Sequence, residues 1–69
     1  METVLIKHEI EKERYNNMSN DTILSIVRIY SGKLINVEDK GDVIVLHIIA
    51  PSTWRICLLN NILLPYRYI

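Results

Sequence analysis

The stretch Val43–Ala50, Val-Ile-Val-Leu-His-Ile-Ile-Ala, is apolar at odd and even positions alike, with His47 its one polar residue. Successive side chains of a strand point to opposite faces, so a strand of this composition has to be covered on both. It must therefore lie inside a sheet, with other strands beside it and helices over at least one face. The run through Pro51 also falls far short of the roughly 18 apolar residues of a membrane span.

The remaining segments supply what such a strand needs. Val4, Ile6 and Ile10 alternate with Lys7, Glu9 and Glu11, the period of a half-buried strand. Lys12 to Asn20 is polar and turn-prone and reads as a loop, with Asn20 or Asp21 placed to cap a helix. Ile23, Leu24, Ile26, Val27 and Tyr30 recur at helical spacing, and Gly32 occupies the place where a helix commonly ends in the left-handed conformation. Ile35 and Val37 restore the two-residue period, and Asp39-Lys40-Gly41-Asp42 predicts a hairpin turn with Gly41 at positive φ. After Pro51, Ser52 or Thr53 is placed to cap a second helix reaching about Ile62. Leu63–Ile69 reads as a last strand, which Pro65 confines to an edge.

The order βαββαβ predicts one α+β domain over residues 1–69. Its expected form is a ferredoxin-like sandwich, a four-stranded antiparallel sheet in the order 4-1-3-2 with two helices on one face. The strand properties agree with that order, because the third strand is the most apolar and the fourth carries Pro65. Parity then assigns Val4, Ile6, His8, Ile10, Ile35, Val37, Ile44, Leu46 and Ile48 to the helix-covered face. The open face receives Lys7, Glu9, Glu11, Val43, Val45, His47 and Ile49, bordered by Asn36 and Arg67. His8 and His47 fall on opposite faces, and one cysteine with two histidines makes no metal pattern.

Two candidate surfaces follow. Val43, Val45, His47 and Ile49 form an apolar patch rimmed by charge, and Trp54 adds a residue type enriched at contact hot spots. With only 69 residues the core is small, so association is a way to complete it. The second surface is the polar stretch before the first helix, where Arg14, Tyr15, Asn16, Asn17, Ser19 and Asn20 precede free N–H groups suited to a small ligand. Trp54, Cys57 and Asn61 share one stripe of the second predicted helix. Cys57 has no base beside it in sequence and reads as an inert thiol.

Several function classes lose their footing at this stage. Eight basic residues balance eight acidic ones, so no global field draws the chain to nucleic acid or to a membrane. The predicted central strands lack the aromatics on which RNA-binding sheets stack bases. There is no glycine-rich phosphate loop, nucleophile elbow or paired carboxylate in an apolar setting, so neither an enzyme nor a cofactor is expected. The lone thiol and the absence of a basic, apolar leader predict a cytoplasmic location.

Asn20–Val37 (NDTILSIVRIYSGKLINV) and the hairpin Glu38–Ile49 resemble, in pattern, the small regulatory modules of the ACT and NIL type. Ser19-Asn20-Asp21-Thr22 departs from the acidic residue and glycine or proline that usually lead into the first ACT helix, which points away from amino-acid binding. The resemblance implies a noncatalytic accessory or regulatory module that forms a homodimer or docks on a protein partner. A small regulator binding nucleic acid through its loops is the alternative reading, and a small enzyme is the third.

Overall fold

In the computed structural model, residues 2–56 of the 69 are described. They form β1 (Thr3–Glu11), α1 (Lys12–Asn16), α2 (Asn20–Ile29), β2 (Lys33–Asp39) and β3 (Val43–Pro51). The strands make one antiparallel sheet in the order β1-β3-β2. β1 and β2 thus flank β3, the arrangement of a split β-α-β unit in a small α+β fold. The apolar strand takes the central place that its composition demands. The second helix and fourth strand of the sequence reading fall on residues 57–69, outside those described, apart from a helical turn at residues 54–56.

Both helices cover one face. Ile10, Val27, Ile44, Leu46 and Ile48 make the buried cluster, and Ile6, Tyr15, Met18, Ile23, Ile26, Tyr30 and Leu34 pack against it. Leu46 and Ile48 lose all contact with solvent, each contributing about 1.5–3 kcal/mol of apolar burial. β1 pairs with β3 without interruption from Thr3 opposite Pro51 to Glu11 opposite Val43, so parity holds along its whole length. Val4 faces the covered side opposite Ala50 but stays exposed near the strand end.

Four local expectations are corrected. Lys12–Asn16 is helical rather than loop. Lys12, Glu13 and Arg14 are good helix formers, and burial of Tyr15 against the sheet holds the turn in place. The cap of α2 is Ser19, whose hydroxyl accepts from the Thr22 N–H at 3.2 Å, so the helix starts earlier than a cap at Asn20 or Asp21 implies. On β2 the pairing shifts between Leu34 and Asn36, leaving Ile35 as an extra residue. That bulge reverses the parity: Leu34 lies opposite Ile48 and packs on the core, Val37 still faces Leu46, and Ile35 is 55% exposed.

The end of α2 is the fourth correction. The left-handed residue is Ser31, at φ 53°, and not Gly32. Gly32 is needed for space, because a Cβ there would lie 2.5 Å from the Ile49 carbonyl oxygen and 2.8 Å from Ile48 Cγ2. Glycine therefore brings the chain leaving α2 against the central strand. Two substitutions separate these roles in urea unfolding. Gly32→Ala is expected to lower stability by about 1–3 kcal/mol through overpacking. Ser31→Gly is expected to raise it by about 0.5–1 kcal/mol by relieving the left-handed residue.

Candidate interaction surface

The face away from the helices is a grid fixed by strand register. Its middle column is Val43, Val45, His47 and Ile49 of β3. Across on β1 stand Glu11, Glu9, Lys7 and Leu5, in that order. Across on β2 stand Glu38 beside Val45, Asn36 beside His47 and Lys33 beside Ile49. Among the described residues neither α1 nor α2 packs on this side, since their apolar residues join the opposite cluster.

Burial along the column is uneven. Val45 is 1% exposed, flanked by its cross-strand partners Glu9 and Glu38. Val43, His47 and Ile49 are half-buried. Leu5, opposite Ile49, is 49% exposed. The apolar surface offered to a partner is therefore Leu5, Ile49 and the rims of Val43 and His47, with Val45 already covered inside the chain.

Charge on the face is sorted along the strands. Glu9, Glu11 and Glu38 lie at the Val43–Val45 end, while Lys7 and Lys33 lie at the His47–Ile49 end. His47 sits between them, and its Nε2–H donates to Glu38 Oε1 at 3.1 Å. This contact gains full ion-pair character only when the imidazole is protonated.

The second candidate surface is mostly consumed by structure. Tyr15 packs on the core, Met18 packs beside it, and Ser19 is occupied as the cap of α2. Arg14, Asn16, Asn17 and Asn20 remain exposed, and among the described residues no cavity opens beside them. Trp54 lies away from the open-face column. Its ring meets Tyr30 edge-on with centroids 4.9 Å apart, and the Arg55 guanidinium stands 5.4 Å from its centre. The Tyr30 hydroxyl and His8 Nδ1 share a 2.6 Å hydrogen bond. His8, Tyr30 and Trp54 thus join β1, the end of α2 and the turn after β3 on the covered side. Cys57, Asn61 and Arg67 lie outside the described residues.

No group of three or more His, Cys, Asp or Glu side chains able to hold a metal occurs among the described residues. No helix among them is long and apolar enough to cross a membrane. The chain matches no protein-family model, curated protein or solved structure.

Leu5, Lys33 and Glu38 were not assigned to the surface by sequence. Leu5 shares the parity of Lys7 and Glu9 and was accessible to the same rule. Glu38 shares the parity of Asn36 and was accessible in the same way, whereas Lys33 required the bulge.

One polar contact locks the acidic end of the sheet. Asp39 accepts the Gly41 N–H at 2.8 Å and the Lys12 ammonium at 3.0 Å, and Lys12 N–H donates to the Asp42 carbonyl at 3.0 Å. Gly41 takes φ 98°, as a glycine turn position should. The Gly41 N–H, and then Lys12, hold the Asp39 carboxyl below its ordinary value of 3.8. A lowered folded-state value means stabilisation present above the unfolded-state titration and lost as pH falls through the folded one. Thermal unfolding should therefore find Asp39→Asn less stable than the native chain at pH 7. The gap should close as pH falls through the lowered folded-state titration of Asp39, where the native carboxyl is protonated too.

Proposed function

We propose that the chain is a noncatalytic accessory or regulatory module that acts by protein–protein contact through the open face of its sheet. The observation that carries this reading is the row Leu5–Ile49 beside sorted charges, on a face that neither α1 nor α2 covers. A small domain gains stability when such a surface is covered. The split β-α-β order supports a ferredoxin-like completion of the kind found in ACT and NIL modules, with residues 63–69 as a fourth strand along β1.

That completion has its own test. Truncation after Ile62 should speed amide exchange along β1 at least tenfold and leave β2 little changed. Equal effects on the two strands would remove the fourth-strand assignment.

The contact face is tested by a photo-crosslinking residue placed at Leu5, with Lys40 in the hairpin turn as the control, in living cells. Position 5 should yield a defined protein adduct, either a second copy or another chain. Adducts no stronger from position 5 than from position 40 would defeat the reading.

A further inference from the structure

The charge pattern of the open face says what fits it. Three carboxylates, Glu9, Glu11 and Glu38, occupy one end of the strands with no lysine among them. Lys7 and Lys33 occupy the other end, where Lys33 has Ile49 as its cross-strand partner and Lys7 marks the boundary, with Glu9 the next residue of β1 on this face. A face divided in this way is its own complement once turned end for end. From this sorting we infer that the open face stacks on the same face of a second copy with the strands of the two sheets running in opposite directions, an inference that rests on the contact reading above.

Face-to-face sheets pack about 10 Å apart with strand directions within about 30° of alignment. A two-fold axis along the strands would bring the acidic ends together, and like charges across an interface are strongly disfavoured. A two-fold axis across the strands reverses the partner and sets acidic end over basic end. In the register that places Val45 over His47 of the partner subunit, Val43 lies over Ile49 of the partner subunit. Glu9 then faces Lys7 of the partner subunit. The contact is isologous, so each such pair occurs twice.

The area sets the strength. Three strands of this length present roughly 30 by 14 Å, or about 400 Å² per copy, about half of what a standard stable interface buries on each side. The dimer is consequently weak. Its range is high micromolar, and salt weakens it because its charges sit at the rim.

The test is charge exchange, read by sedimentation across concentrations up to about a millimolar. Lys7 and Glu9 are both exposed, and circular dichroism checks that each variant keeps its fold. The native chain should self-associate. Lys7→Glu and Glu9→Lys should each weaken association at least about tenfold. The double variant K7E/E9K should return to within about twofold of the native chain, because the facing pair is re-formed with signs exchanged. A native chain monomeric at a millimolar overturns the inference. So do single variants without effect, or a double variant that stays weak. A monomeric chain whose position 5 still crosslinks another protein overturns only the second copy as occupant and leaves the contact reading intact. A native dimer that gives no adduct from position 5 when crosslinked in solution at about a millimolar sinks both.

Discussion

Everything in this fold is organised around one strand that cannot be left wet on either side. Ile44, Leu46, Ile48 and Ala50 are buried on the helix side of β3, and Val45 is buried on the other. Such a strand needs hydrogen-bonded neighbours on both edges, and β1 and β2 supply them. The two neighbours are consecutive in sequence yet not adjacent in space. The chain between them must cross the sheet, and α2 makes that crossing with Val27, Ile23 and Ile26 turned toward the core. Gly32 completes the passage by letting the backbone leave the helix against the Ile49 carbonyl. Position, crossover and close approach are consequences of one apolar run.

How much of this was legible depends on how local the cause was. The two-residue period of β1 and the double-sided apolarity of β3 are carried by the residues themselves, and both strands lie where the pattern puts them. The bulge at Ile35 was not legible, because nothing in Lys-Leu-Ile-Asn-Val marks an extra residue. It arises from fitting β2 to a partner whose register is already set by β1. One inserted residue was enough to exchange Leu34 for Ile35 on the core side. The turn of α1 was hidden for a related reason. A five-residue helix is marginal alone, and Tyr15 and Met18 hold it only after the sheet exists to receive them.

The candidate surface shows the same division. Parity alone placed Val43, Val45, His47 and Ile49 together, and His8 and His47 apart. It did not reveal that Glu9 and Glu38 would enclose Val45 while Leu5 stayed open, because burial depends on residues brought together from three strands. Tyr15 and Ser19 likewise looked available for a ligand as a string of polar residues. In the folded chain one is a core contact and the other a cap.

Folding leaves the net charge as it is and sets where the charges lie. Eight positive and eight negative residues cancel in the sum, and on that sum alone the chain has no electrostatic preference. The sheet undoes the cancellation over a few ångströms. β1 carries Lys7, Glu9 and Glu11 on one face, and antiparallel pairing with β3 sets their order against Val43, Val45 and His47. β2 adds Glu38 at the acidic end and Lys33 at the basic end, and the bulge between them returns both to that face. Without the extra residue Leu34 would leave the core face, or Glu38 would turn away from the open one. The irregularity that defeated the parity rule is thus also what aligns the charges on the two flanking strands, and it gives a neutral molecule a polarised face.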